Sequence, residues 1–170
     1  MKEEIPAASF REIYELLVGA EIEFLLVGGA AANLLGSPRF TLDVGIAYSL
    51  RDENVAKIVS VFGTIHPYLR GAPAGLPFQF DARTIRNGLN FALITDLGPI
   101  DLLGEVPGGG TYEQLLPFSE IKNVYGLPLR CVKLEKLIEL KRAAGRLKDK
   151  ELIAELEIIR QEQRHLKREK

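Results

Sequence analysis

The chain has 170 residues, of which 46% are apolar and 26% are charged. This size and composition predict one globular domain over residues 1–170 and exclude a disordered or fibrous protein. No apolar run reaches the roughly 20 residues of a membrane-spanning helix, and the N-terminal segment lacks a signal-peptide pattern. The single cysteine, Cys131, cannot form an internal disulfide bond. We therefore expect a cytoplasmic protein with no membrane partner.

Charge is unevenly distributed along a chain whose net charge is −1. Residues 133–170 contain 12 Lys or Arg and 8 Asp or Glu, so this segment carries +4 and the rest of the chain carries −5. A basic segment facing an acidic part suits a phosphate-bearing ligand held between them. A solvated helical surface explains the same distribution, and charge alone favours that alternative.

The first half of the chain alternates predicted helices and strands. Ser9 and Glu12 form a capping-box pattern before a helix over residues 10–19. Apolar runs predict strands over residues 23–27 and 40–48, and helices are predicted over residues 30–35 and 52–62. The segment from Gly63 to Pro77 is rich in Gly and Pro and predicts a surface loop.

The second half is predicted to add strands and two terminal helices. Strands are predicted over residues 78–80, 90–95, 99–103, 121–125 and 127–132, a short helix over 112–116, and helices over 134–144 and 149–166. Helices at both ends of a mixed sheet predict an α/β or α+β protein. The sheet core would cover about residues 23–132 and the C-terminal helices about residues 133–166.

Gly28 and Gly29 lie at a predicted junction between a strand and a helix. Glycines at such a junction allow backbone N–H groups to approach a ligand closely, and a helix N-terminus favours an anion. Many turns of this kind need glycine for backbone geometry alone. The glycine pair by itself therefore favours a turn requirement over a ligand site.

Two aspartates interrupt apolar strands. Asp43 shares a predicted strand face with Thr41 and Gly45, and Asp101 lies between two apolar residues of a later strand. A carboxylate in an apolar strand is costly unless it meets a cation or a network of donors. Arg39 could supply a plain salt bridge to Asp43; alternatively, two such strands side by side would bring together carboxylates that Mg²⁺ would stabilise.

These motifs resemble the nucleotidyltransferase fold of the polymerase-β superfamily, and more narrowly the small bacterial nucleotidyltransferase-like proteins related to AbiEii-type toxins. The matching stretches are Leu26–Ala30, Arg39–Asp43, Gly98–Leu103, Leu137–Lys141 and Gly145–Asp149. The resemblance implies a mixed sheet flanked by helices, with C-terminal helices. It also implies a site that binds a nucleoside triphosphate such as ATP with Mg²⁺ or Mn²⁺ and transfers a nucleoside monophosphate to a hydroxyl acceptor.

The resemblance also assigns roles to individual residues. It implies that Asp43 and Asp101 are catalytic and hold the metal, and the predicted nucleotide-binding residues are Gly28, Gly29, Arg39, Thr41 and Lys141. The family's second metal-bridging carboxylate would occupy position 45, where this chain has glycine. Catalysis with two metal ions needs ligands for both ions, and two carboxylates alone hold two ions poorly. A catalytically impaired nucleotide-binding protein therefore stands as the alternative, and a toxin-like protein with a cognate antitoxin, protein or RNA partner stands as another.

The predicted C-terminal helices contain polar residues on apolar stripes. Lys141 continues the stripe of Leu134, Leu137 and Ile138, so it either snorkels to the edge or reaches into a site, and a phosphate contact is slightly favoured. Asp149 is predicted to cap the last helix rather than to bind metal. Arg146 and Lys148 would bind phosphates or the carbonyls at the end of the preceding helix.

Overall fold

The computed structural model describes residues 4–169. Its α-helices are α1 (Phe10–Gly19), α2 (Gly28–Leu34), α3 (Asp52–Gly63), α4 (Ala82–Gly88), α5 (Tyr112–Leu115), α6 (Leu134–Ala144) and α7 (Lys150–Arg168). Its strands are β1 (Phe24–Val27), β2 (Val44–Tyr48), β3 (Tyr68–Leu69), β4 (Asn90–Thr95), β5 (Gly98–Leu103), β6 (Ser119–Val124) and β7 (Leu127–Val132). Short 3₁₀ helices cover Leu116–Phe118 and Leu147–Asp149. No helix within residues 4–169 is long and apolar enough to cross a membrane.

The strands form one mixed sheet in the order β3-β4-β5-β2-β1-β7-β6. β2 pairs with β5 in parallel and β1 pairs with β7 in parallel, whereas the other neighbours are antiparallel. The parallel pairing of β2 and β5 sets Gly45 opposite Asp101. This register brings together two segments that lie more than 50 residues apart in sequence.

The hydrophobic core lies along the central strands and the helices that cover them. All four residues of β1 are buried, and Val44 and Ile46 of β2 are fully inaccessible to solvent. On α1, Ile13 and Leu17 are fully buried one helical turn apart, as the apolar spacing predicts. The predicted mixed sheet, flanked by helices and followed by C-terminal helices, is therefore confirmed.

Some element boundaries differ from the sequence prediction for identifiable reasons. β2 begins at Val44 rather than at residue 40, and Phe40 is 81% exposed. Residues 78–80 form no strand, because Phe80 instead stacks on Phe62 with ring centroids 5.6 Å apart. Aromatic burial from a loop mimics the alternating pattern of a strand.

Two further differences involve capping and the predicted loop. Ser9 makes no side-chain capping bond, although its carbonyl oxygen accepts a hydrogen bond from the N–H of Ile13. The segment predicted as a surface loop contains β3, which pairs with β4. The sequence prediction also missed α4, whose N-cap Asp81 accepts a hydrogen bond from the N–H of Thr84.

Candidate functional site

A cleft of about 690 Å³ lies between the sheet and α6. Its walls come from the junction of β1 with α2, the segment leading into β2, strand β5 and one face of α6. All seven residues that the sequence singled out line it: Gly28, Gly29, Arg39, Thr41, Asp43, Asp101 and Lys141. The fold thus brings residues from four separate parts of the chain to one concave surface.

The glycine pair forms the turn between β1 and α2, and its two members are required for different reasons. Gly28 has φ +68°, a left-handed conformation that favours glycine. Gly29 instead packs against Thr41, and a Cβ at position 29 would lie 2.6 Å from the Thr41 Oγ1 atom. The close approach of these two segments explains part of the glycine requirement without any ligand.

The two aspartates lie side by side at the floor of the cleft. Asp43 comes directly before β2, and Asp101 lies on β5 opposite Gly45. The Thr41 hydroxyl lies 3.4 Å from the Asp43 Oδ1 atom and can donate to it. Both carboxylates are about one-third exposed, at 35% and 28%. They therefore remain accessible from the cleft while being partly removed from water.

Arg70 joins these carboxylates, and the sequence analysis assigned it no role. Its Nη2 atom lies 2.9 Å from the Asp101 Oδ1 atom, and its Nη1 atom lies 3.7 Å from the Asp43 Oδ2 atom. The same Nη2 donates a hydrogen bond of 3.0 Å to the Leu93 carbonyl oxygen. Arg70 directly follows the two-residue strand β3, which no local pattern had indicated. The contact of Arg70 with Asp101 thus depends on how the strands pair and not on a sequence motif.

The environment of Asp101 favours its protonated form. Partial burial, followed by the hydrogen bond and negative charge of Asp43, raises the pKa of Asp101 to about 6, and Arg70 opposes this shift. The Asp101 Oδ1 atom is buried, and Arg70 contacts it as an ion pair that lacks full hydrogen-bond geometry. This oxygen therefore already faces a positive charge.

The opposite wall of the cleft carries a buried lysine. Lys141 is only 8% exposed, and its Nζ atom lies 3.7 Å from the Asp149 Oδ1 atom. Burial lowers the pKa of Lys141, and the charge of Asp149 partly counteracts that effect. Lys141 thus faces the cleft instead of snorkelling into solvent.

Asp149 is the N-cap residue of α7, as predicted, but its carboxylate forms no capping hydrogen bond. The side chain instead accepts a hydrogen bond of 2.8 Å from the Arg146 Nε atom and lies beside Lys141. Two cationic neighbours compete more effectively for this buried carboxylate than a backbone N–H does. Asp149 therefore holds the basic side chains of Lys141 and Arg146 at one wall of the cleft.

Arg39 lines the cleft, but its guanidinium forms ion pairs with glutamates of the last helix. Its guanidinium donates to Glu151 at 3.0 Å and to Glu155 at 2.9 Å, both on α7. Asp43 is paired with Arg70, so the salt bridge considered between Arg39 and Asp43 is not formed. Arg39 instead ties the segment before β2 to the last helix at the rim of the cleft.

The oxygen donors of the cleft suit a single hard cation such as Mg²⁺. Asp43 and Asp101 are hard ligands, and each carboxylate is partly exposed to the cleft. Among residues 4–169, no group of three or more His, Cys, Asp or Glu side chains could hold a metal ion. The remaining ligands would have to come from phosphate oxygens and water, and a pair of ions would lack a bridging carboxylate at position 45.

Comparison with known proteins supports the fold. The structure resembles a crystal structure of a candidate nucleotidyltransferase from Thermotoga maritima, with a TM-score of 0.56 and 17% sequence identity. The similarity covers 86% of this chain and 88% of the other. No family model matches the sequence, and no curated protein matches it. The chain therefore has a nucleotidyltransferase-like fold.

Proposed function

We propose that this protein binds a nucleoside triphosphate, with ATP as one candidate, in the cleft between the sheet and α6. The observation that supports this proposal best is the convergence of a glycine turn, two carboxylates and a buried lysine on one cleft. A triphosphate carries several negative charges, and the buried Lys141 ammonium and the nearby Arg146 guanidinium complement them. The open space beside Gly28 leaves room for phosphate oxygens to approach the backbone.

The carboxylates would face the metal that accompanies the triphosphate. Asp43 and Asp101 would hold Mg²⁺ or Mn²⁺ together with phosphate oxygens, and the ion would offset the charge on the phosphates. If transfer occurs, the hydroxyl oxygen of an acceptor forms a bond to the α-phosphorus while the bond to the leaving pyrophosphate breaks. Asp101 would accept the hydroxyl proton in its ionised form.

A catalytically impaired nucleotide-binding protein is the second candidate. Gly45 favours it, because this glycine lies beside Asp101 where a bridging carboxylate would complete a two-metal site. In this case the bound nucleotide would serve as a signal, and a partner such as an RNA, a protein or a cognate antitoxin would respond to it. The two candidates share the nucleotide site and differ in turnover.

A thermal-shift series followed by a transfer assay tests both candidates. Each of the four common NTPs would be added with Mg²⁺ to the wild-type chain and to Lys141→Met, with Lys136→Met as a matched control. Lys136 lies on the same helix but its side chain pairs with Glu139 outside the cleft. We expect an NTP to raise the Tm of the wild type and the control, and to raise that of Lys141→Met much less.

The outcome separates the possible roles. Stabilisation together with transfer of α-phosphate label to RNA or protein supports nucleotidyl transfer. Stabilisation without label transfer supports the impaired, nucleotide-sensing form. If no NTP at millimolar concentration changes the Tm of the wild type, the nucleotide-binding proposal is wrong.

A further inference from the structure

Arg70 belongs to a row of residues that crosses the sheet beneath the cleft. Its N–H donates a hydrogen bond of 2.9 Å to the carbonyl oxygen of Ala92 on β4. Ala92 pairs with Asp101 on β5, and Asp101 pairs with Gly45 on β2. Cross-strand partners point to the same face of a sheet. Asp101 is therefore flanked on that face by the two smallest kinds of side chain, alanine and glycine.

The small neighbours leave space for one large cation. A longer side chain at position 92 would stand between β3 and Asp101, where the Arg70 guanidinium now reaches across to the carboxylates. On the other side, Gly45 offers no carboxylate that would draw a second cation. Arg70 therefore reaches both aspartates from the β3 edge, and the cleft opens on their other side.

Charge explains why an arginine is favourable here. Two carboxylates this close repel each other, and a positive charge between them relieves the repulsion. An arginine side chain carries its positive charge on a planar fork of donors that matches carboxylate oxygens. The two terminal nitrogens of Arg70 face one aspartate each. The residue thus supplies the charge that a metal ion would otherwise supply.

The contact is nevertheless incomplete. The Arg70 Nε atom is buried without a hydrogen-bond partner, and the guanidinium is not aligned for a hydrogen bond to the Asp101 Oδ1 atom. An unsatisfied buried donor costs free energy. The side chain is also 24% exposed, so it has a route away from the carboxylates. Apart from its hydrogen bond to the Leu93 carbonyl oxygen, the guanidinium is thus held by charge, and a divalent cation competes for the same carboxylates.

We infer that Arg70 is an exchangeable internal cation: it neutralises Asp43 and Asp101 in the metal-free protein, and a divalent cation binds them only by displacing it. The inference rests on the proposed function in placing that cation on these two aspartates. It goes beyond that function by assigning a specific competitor to the metal. Released Arg70 would then lie beside the cleft as an additional positive charge for the triphosphate.

Metal binding without nucleotide tests the inference. The affinity for Mn²⁺ alone would be measured by calorimetry for the wild type, Arg70→Gln and Arg70→Lys, with Arg86→Gln as the control. Arg86 also forms an arginine–aspartate pair, with the exposed Asp52, but it lies outside the cleft. We expect Arg70→Gln to bind Mn²⁺ about tenfold more tightly than the wild type, since two partly exposed ion pairs no longer compete. Arg70→Lys, which keeps the charge, should lie close to the wild type.

Stability supplies a second readout from the same variants. Without metal, Arg70→Gln should unfold at a lower temperature than the wild type, and Mn²⁺ should recover more of that loss than in Arg86→Gln. Equal or weaker Mn²⁺ affinity in Arg70→Gln would overturn the inference. Because no nucleotide is present, this result is independent of whether any NTP binds, and the two proposals can fail separately.

Discussion

Gly45 on β2 lies directly opposite Asp101 on β5 in the parallel pairing of the two strands. A Cβ at position 45 would have the Val27 carbonyl oxygen as its nearest neighbour, at 3.4 Å. The backbone thus accepts a side chain here with only a small adjustment. A single substitution can therefore place a carboxylate at this point of the cleft.

Gly45→Asp should convert this site into a stronger metal site. Because the new carboxylate would face the same side of the sheet as Asp101, we expect Mg²⁺ or Mn²⁺ to raise its Tm more than that of the wild type. Without metal the variant should be less stable, since three carboxylates would then share one guanidinium. Thermal unfolding with and without metal measures both effects, and any nucleotidyl transfer should increase as well.

Gly45→Asn separates charge from backbone effects in this experiment. Asparagine has the shape of aspartate, and it also replaces a glycine that is unfavourable within a strand. If the Asn and Asp variants respond identically to metal, position 45 does not contribute to a cation site.

Lys141→Met should weaken nucleotide binding while the fold persists. Methionine keeps most of the apolar contact of the lysine stem, and Asp149 retains the Arg146 guanidinium as a partner. A lost contact between a buried ammonium and a phosphate predicts a Kd increase of about 10- to 100-fold. Titration of a fluorescent NTP measures it. An unchanged Kd would remove Lys141 from the nucleotide site.

Gly29→Ala should destabilise the protein through contact with Thr41. The added Cβ would lie 2.6 Å from the Thr41 Oγ1 atom, and crowding of this kind costs about 1–3 kcal/mol. Thr41→Gly should relieve it, so the double variant should be more stable than the sum of the single changes predicts. Denaturant unfolding of the four proteins measures this coupling.

Gly28→Ala is the control for the double-mutant cycle of Gly29 and Thr41. A Cβ at position 28 would meet no atom within 4 Å, so its cost comes from the positive φ alone. Thr41→Gly should therefore not rescue Gly28→Ala. Equal rescue of both glycine variants would contradict the packing explanation.

Cys131 should be unreactive in the folded protein. It is fully inaccessible to solvent, and burial raises the pKa of its thiol to about 12. The reactive thiolate is therefore scarce at pH 8, and the sulfur is also shielded. A thiol reagent should modify the protein only after denaturant is added. Rapid modification of the native protein would show that β7 opens readily.

Local sequence patterns predicted much of the fold. The predicted limits of α6 and β4, residues 134–144 and 90–95, match the observed ones, Leu134–Ala144 and Asn90–Thr95. These patterns succeed because the periodicity of a helix or strand and the burial of one face act on neighbouring residues. They fail at residues 78–80, where Phe80 is held by a distant ring rather than by strand pairing.

The sequence by itself determined which residues could carry chemistry: the glycine pair, Asp43 and Asp101 in apolar surroundings, and Lys141 on an apolar stripe. Only the tertiary structure decided that they line one cleft and that Arg70 lies between the carboxylates. The physical reason is that burial of a polar residue is encoded locally, whereas its partner is chosen by strand order and register. Arg70 meets Asp101 because β4 lies between β3 and β5 in the sheet, and no local pattern specifies that order.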